Sequence, residues 1–188
     1  MNLERLKFWL HVRTQSLYMA SFRRTRLAGL SMSMLDDIKE SYPLPEGWSL
    51  KGMTVADIGC DYGNSPVFFR LMGASKVLGY ERDARRRRWL RLNLGGEPWF
   101  EQMGAWKPGE YPDADVLKMD IDGGEKALDV AQLAKYRLWF VAVHKETKVE
   151  QRLYGEVGDT TFLASLLKEA GGHLVHDNGE GEEVYRFP

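Results

Sequence analysis

The chain has 188 residues, 44% of them hydrophobic and 28% charged, with a formal net charge of -1. This length allows one domain with a sizeable core, and the balanced charge does not point to any class of partner. The single cysteine, Cys60, excludes an internal disulfide and a cysteine-rich zinc site. The sequence shows no signal peptide and no apolar run near the roughly 20 residues of a membrane span, so we expect a cytoplasmic protein.

Residues 1–42 differ in character from the rest and predict an N-terminal helical segment, with two helices broken near residues 29–33. Its charge is basic up to Arg26 and acidic after it. Two interpretations stay open: a basic amphipathic stretch that binds nucleic acid or an anionic surface, and a helical cap with a solvated charged face. Residues 43–188 are predicted to form the main domain.

Residues 53–83 predict one β-α-β unit. Residues 53–58 and 77–80 are short apolar runs typical of core strands, and a glycine-rich turn follows the first of them. Ser65 and Pro66 fit the N-cap and first residue of the intervening helix. Glu81 ends the second strand, where a carboxylate can accept hydrogen bonds from both hydroxyls of a ribose.

The turn has the spacing D-x-G-x-x-x-G, formed by Asp57, Gly59 and Gly63. It lacks the G-x-G-x-x-G pattern of dinucleotide sites, and an aspartate at the strand end is a poor neighbour for a pyrophosphate. A cationic or zwitterionic ligand suits Asp57 better. The alternative is that the glycines only make a tight turn and Glu81 is a solvated strand end.

Residues 82–95 predict a helix that ends at Gly95. Arg85, Arg88 and Arg91 recur at three-residue steps and form either a basic stripe for an anionic partner or a solvated face. A weak third strand follows at residues 99–103, and then a loop that contains Trp106.

Residues 116–119 predict a fourth strand, with Asp120, Asp122 and Glu125 around its end. Ligands of open α/β sheets gather at the carboxyl ends of strands, so these acids should face the pocket. They could bind a divalent cation, or cap the helix predicted over residues 126–135. The sequence favours capping, and no metal site is predicted.

The remaining chain predicts a central strand at residues 137–143 that ends at His144. A helix follows at residues 159–170, capped by Asp159 or Thr160. Two last strands, at residues 173–176 and 183–187, make a hairpin.

The β-α-β unit resembles motif I and the following acidic position of class I S-adenosylmethionine-dependent methyltransferases. This resemblance implies an α/β, Rossmann-like fold with a mostly parallel seven-stranded sheet, a C-terminal antiparallel hairpin and helices on both faces. It also implies that Trp106 lies near the adenine, where it either stacks on the ring or packs in a groove. The implied contacts to S-adenosylmethionine come from Asp57, Gly59, Asp61, Gly63, Glu81, Ala105 and Asp120.

A second resemblance is to the L-K-x-D-[VI]-E-G-x-E element of FkbM-type methyltransferases. The matching residues are Leu117, Lys118, Asp120, Ile121, Gly123 and Glu125. Asp122 departs from the pattern, because that family has glutamate there.

These resemblances imply an S-adenosylmethionine-dependent methyltransferase that acts on an oxygen of a small molecule or sugar. His144 and Asp120 are the candidate catalytic residues, because either could take the proton of the acceptor. Two alternatives are an RNA methyltransferase that uses the basic N-terminal segment, and a catalytically inactive module that binds nucleic acid or protein.

Overall fold

A computed structural model describes residues 32–144, 160–179 and 182–188. Its helices are α1 (Met32–Ser41), α2 (Asn64–Leu71), α3 (Ala84–Leu94) and α4 (Leu163–Glu169), with two 3₁₀ helices at Gly124–Ala127 and Val130–Lys135. Its strands are β1 (Thr54–Ile58), β2 (Lys76–Tyr80), β3 (Phe100–Gly104), β4 (Val116–Met119), β5 (Leu138–His144), β6 (His173–Asp177) and β7 (Glu182–Phe187).

The seven strands form one sheet in the order β3-β2-β1-β4-β5-β7-β6. Strands β1 to β5 pair in parallel, while β7 pairs antiparallel with both β5 and β6. The predicted mostly parallel sheet with a C-terminal antiparallel hairpin is therefore confirmed. The strand order reverses between β1 and β4, so a crevice opens at the carboxyl ends of those two strands.

The core has two layers, one on each face of the sheet. Every residue of β5 is buried, and successive side chains alternate between the layers: Phe140 belongs to one and Trp139 to the other. This alternation explains why β5 is an almost continuous apolar run, as a strand covered on both faces requires.

Helix α1 shares the first of these layers with the sheet. Leu35 and Tyr42 are buried there, and the Tyr42 ring meets the Phe140 ring edge-on at 5.7 Å between centroids. The second helix of the predicted N-terminal segment is thus packed into the core of the main body. The first lies outside the described residues, and the boundary at residue 42 stays a prediction.

Several predicted element ends were wrong for local reasons. Helix α2 starts at Asn64 after Gly63, which takes the N-cap position in a left-handed conformation, so Ser65 is inside the helix. The helix predicted over residues 126–135 is instead two 3₁₀ helices, and the side chain of Asp129 caps the second. Of the two residues predicted to cap α4, Asp159 lies outside the described residues, and the Thr160 hydroxyl instead accepts a hydrogen bond from the backbone N–H of His144.

We predict that Phe140→Ala lowers the free energy of unfolding by about 3–5 kcal/mol, since it leaves a cavity among Tyr42 and Phe69. The same substitution at Phe162, which is 54% exposed, should change it by only about 0.5 kcal/mol. Urea denaturation of both variants measures the difference. Equal losses would contradict the assignment of Phe140 to the core.

Candidate active site

A cavity of about 480 Å³ lies at the carboxyl ends of β1, β2 and β4. Its walls carry four carboxylates, three cationic side chains, two aromatic residues and several backbone segments. Its lining residues are Ile58, Gly59, Asp61, Tyr80, Glu81, Arg82, Arg86, Trp106, Pro108, Asp120, Ile121, Asp122, Gly124, Lys126 and Ala127. The cavity therefore joins the two acidic strand ends that the sequence singled out.

Gly59 lets the ends of β1 and β4 touch. It has φ +83°, and a Cβ there would lie 1.7 Å from the backbone oxygen of Asp120, so no side chain fits. Gly63 serves a different contact, because a Cβ on it would lie 2.8 Å from Leu94 of α3. Gly63 packs the turn against α3 and is not among the residues that line the cavity.

Glu81 lines the cavity with its carboxylate held in one orientation. One oxygen accepts a hydrogen bond from the backbone N–H of Asp61 at 3.1 Å, and the other accepts from Asp83 N–H at 2.7 Å. A carboxylate accepts about four hydrogen bonds, so Glu81 keeps acceptor capacity for a ligand. The carboxylate of Asp61 pairs with Arg86 at 3.1 Å.

Asp57 does not line the cavity but lies beneath it, fully buried. Its Oδ2 accepts a hydrogen bond from the Ser65 hydroxyl at 2.6 Å, and its Oδ1 lies 3.2 Å from Nζ of Lys118. Burial raises the pKa of Asp57, although Lys118 and Ser65 act in the opposite direction. Because Lys118 balances its charge, Asp57 is not the residue that would select a cationic ligand.

Lys118 is a buried lysine that joins β1 to β4. Its ammonium donates a hydrogen bond to the backbone oxygen of Gly59 at 2.7 Å and lies 3.7 Å from Oδ2 of Asp120. Burial lowers the pKa of Lys118, but the charges of Asp57 and Asp120 more than offset this and raise it above its ordinary value. The side chain is therefore protonated at neutral pH.

Asp120 uses its two carboxylate oxygens differently. Oδ2 accepts a hydrogen bond from the Tyr42 hydroxyl at 2.7 Å, while Oδ1 lies 3.5 Å from Nε2 of His144. Burial would raise the pKa of Asp120, but Lys118 and His144 lower it overall. The carboxylate is ionised at neutral pH.

His144 is 4% exposed and lies between carboxylates. Its Nδ1 lies 3.5 Å from Oε1 of Glu125, and its antiparallel partner on β7 is Glu182. Burial alone would lower the pKa of His144, but Glu125, Asp120 and Glu182 raise it to about 9. Burial and the charge of Asp120 in turn raise the pKa of Glu182 to about 7.

The loop after β4 is shaped by Glu125. Its carboxylate accepts hydrogen bonds from the backbone N–H groups of Ile121 and Gly123, which precede the first 3₁₀ helix, so it holds the loop together and does not cap the predicted helix. Asp122 has φ +52°, uncommon for a residue other than glycine. Burial and the charge of Asp120 raise the pKa of Asp122.

The loop after β3 supplies one of the two predicted residues to the cavity. Trp106 lines it, and its indole N–H donates to the backbone oxygen of Glu110. Ala105 is exposed and is not among the lining residues, so its predicted contact with the cofactor stays a prediction.

Sequence reasoning missed the roles of Lys118, Tyr42 and Arg86. Lys118 had a detectable signal, because it is the one charged residue in the otherwise apolar run of β4 and must be paired if that strand is central. Tyr42 had none, because its contact with Asp120 spans 78 positions of the chain.

This sheet order and crevice define the Rossmann-like fold of class I methyltransferases. Among solved structures, Aeropyrum pernix fibrillarin with natively bound S-adenosyl-L-methionine has a TM-score of 0.55 at 11% identity, over 82% of this chain and 73% of that one. A Mesorhizobium loti S-adenosylmethionine-dependent methyltransferase gives 0.54 at 14% identity, over 86% and 99%. A Plasmodium falciparum dimethyladenosine transferase gives 0.55 at 19%, over 84% and 61%. At these identities the likeness establishes the fold.

The chain belongs to the family of the "Uncharacterized protein 158B" of Sulfolobus islandicus rod-shaped virus 1, with which it shares 35% identity over 128 residues. That alignment covers 64% of this chain and 80% of the viral protein. "Uncharacterized protein 65" of the Sulfolobus islandicus filamentous virus is 32% identical over 116 residues, 59% and 72% of the two chains.

No family model matches the chain, so the finer resemblance to FkbM-type enzymes is not confirmed. Within the described ranges, no helix is both long enough and apolar enough to cross a bilayer.

We predict that Lys118→Met lowers the free energy of unfolding by about 3–5 kcal/mol, because it leaves the buried carboxylate of Asp57 without its partner. Adding Asp57→Asn should restore part of that loss, with a coupling of about 1–3 kcal/mol between the two positions. Denaturation of the two single variants and the double variant measures this coupling.

Lys76→Met is the matched control, because Lys76 pairs with Glu101 while its side chain is 47% exposed. We expect it to cost less than about 1 kcal/mol. If the losses at Lys118 and Asp57 simply added, the two residues would not be coupled.

Proposed function

We propose that this chain is an S-adenosylmethionine-dependent methyltransferase that methylates an oxygen of a small molecule or sugar. The observation that carries the proposal is the orientation of Glu81, whose carboxylate two backbone N–H groups fix at the wall of a cavity between β1, β2 and β4. In this position it can accept hydrogen bonds from both hydroxyls of a ribose.

The residues present fit this cofactor in size and charge. The cavity volume, about 480 Å³, is within the usual range of small-molecule sites. The cavity is lined by four carboxylates and three cations, and one of these cations, Arg86, forms an ion pair with Asp61. The carboxylates belong to Asp61, Glu81, Asp120 and Asp122, and the cations to Arg82, Arg86 and Lys126. The lining as a whole carries four carboxylates against three cations, which favours a sulfonium and an ammonium group over a pyrophosphate. Trp106 offers an aromatic face for an adenine.

When bound, S-adenosylmethionine supplies a methyl group that is already activated on a sulfonium, so the protein needs mainly to position the acceptor. In this proposal Gly59 lets the ends of β1 and β4 meet at the cavity wall, and Glu81 and Asp61 hold the donor. Asp120 and His144 are the acceptor-side residues, because Asp120 reaches the cavity and His144 lies 3.5 Å behind it. A hydroxyl of the acceptor could donate its hydrogen bond to Asp120.

We expect Glu81→Gln to weaken S-adenosylmethionine binding about 10- to 100-fold, because one charged acceptor becomes a neutral amide that meets a backbone donor. Isothermal titration calorimetry measures the dissociation constant, and circular dichroism checks the fold. Glu101→Gln is the control, since Glu101 is on the neighbouring strand but does not line the cavity. Unchanged affinity in Glu81→Gln would contradict the proposed cofactor site. Absence of binding to the unaltered chain at millimolar ligand would leave a binding module without catalysis as the better account.

An RNA acceptor is the second candidate, and an exposed basic surface on α3 favours it. Arg85, Arg88 and Arg91 are exposed at three-residue steps, and the Trp89 side chain beside them is 42% exposed. Arginines next to an aromatic ring suit a phosphate backbone with unstacked bases.

If three phosphates are contacted, affinity for a short single-stranded RNA should fall by about 20-fold between 50 and 200 mM salt. Replacing the three arginines by glutamine should flatten this dependence in a fluorescence anisotropy titration. The control triple variant removes equal charge elsewhere, at Lys51, Arg137 and Lys168. Equal effects of the two triple variants would indicate binding without a defined surface.

A further inference from the structure

We propose that Asp120, Asp122 and His144 form a site for one divalent cation at the inner end of the cavity. One possible ligand atom from each of the three residues lies within 4.8 Å of the other two. Two carboxylates and one imidazole are a mixed oxygen and nitrogen donor set, which suits Mn²⁺, Fe²⁺ or Zn²⁺.

His144 lies farther from both neighbouring carboxylates than a direct charged hydrogen bond requires. Nε2 lies 3.5 Å from Oδ1 of Asp120, and Nδ1 lies 3.5 Å from Oε1 of Glu125. A charged imidazole that bonded directly to a carboxylate would lie about 2.7–2.9 Å from its oxygen. The ring is buried, and Nδ1 has no hydrogen-bond partner within the described part of the chain. Nδ1 faces Glu125, and Nε2 on the other side of the ring is directed at Oδ1 of Asp120.

Some residues around the proposed site would bind the cation directly, and others hold those ligands in place. Oδ2 of Asp120 is engaged by the Tyr42 hydroxyl and faces Lys118, which leaves Oδ1 directed towards His144. Glu125 lies on the far side of the ring, where carboxylates commonly orient histidines that bind metals. Buried Lys118 is balanced by Asp57, so its charge is already partly neutralised before a second cation arrives.

The proposed site opens into the cavity, because Asp120 and Asp122 both line it. Coordination positions that the protein does not fill would face the space that an acceptor would occupy. The cation would then hold an acceptor through oxygen, so acceptors with adjacent hydroxyl or carboxylate groups are the expected class. This consequence rests on the proposed methyltransferase function, whereas the cation site itself does not.

The test is a titration of the full chain, stripped of metal with a chelator, with Mn²⁺ in the absence of S-adenosylmethionine. Electron paramagnetic resonance counts the free ion, and we expect one bound Mn²⁺ per chain. Asp122→Asn should weaken binding at least about tenfold, and asparagine tolerates the positive φ of this position. Electron spin echo spectra should show coupling to a nitrogen, lost in His144→Gln.

Two controls separate this site from other binding. Asp113→Asn makes the same change at an exposed aspartate that does not line the cavity, and it should leave Mn²⁺ affinity unchanged. Glu81→Gln should keep Mn²⁺ binding while it weakens the cofactor, so failure of the proposed function and failure of the cation site give different results. No saturable binding at millimolar Mn²⁺, or binding that Asp122→Asn leaves intact, would overturn the proposal. A nitrogen coupling that persists in His144→Gln would overturn it too.

Discussion

The buried ammonium of Lys118 is the interaction on which the rest of this structure depends. It lies in the centre of a parallel sheet, where an unpaired charge would be prohibitively costly, so the fold has to bring acceptors to it. The acceptors come from both sides: the carboxylate of Asp57 and the backbone oxygen of Gly59 from β1, and Asp120 from its own strand. One side chain thereby fixes the relative position of the two strand ends that form the cavity.

That arrangement separates carboxylates that hold the fold from carboxylates that face a ligand. Asp57 is buried with its charge balanced beneath the cavity, whereas Glu81 is bonded to backbone N–H groups and faces it. Asp120 belongs to both groups, because Oδ2 is committed to Tyr42 and Oδ1 is turned towards His144. The chemistry of the site depends on this division, since only a carboxylate that faces the cavity can contact an acceptor or a cation.

Local sequence patterns predicted the helices and strands well, but they predicted the contacts between side chains poorly. Apolar runs located the central strands β1, β2, β4 and β5 to within about one residue, because a central strand must be apolar on both faces. The prediction of one helix over residues 126–135 was wrong, because the side chain of Asp129 caps the N-terminus of a second 3₁₀ helix that begins at Val130. The spacing of the glycines predicted the turn after β1. Gly59 and Gly63 each make room for a different neighbour, and their spacing carries no information about which residues those neighbours are.

The sequence by itself determined the class of fold, the strand ends at which a site forms, and the candidate residues Glu81, Asp120 and His144. Those follow from periodicity and from the edge at which parallel strands end, both of which are local properties of the chain. Only the tertiary structure decided which carboxylates face the cavity. Partners such as Tyr42 for Asp120 and Lys118 for Asp57 lie 78 and 61 positions away, and burial removes the water that would otherwise solvate their charges. The roles of these acids are therefore set by neighbours that no local pattern specifies.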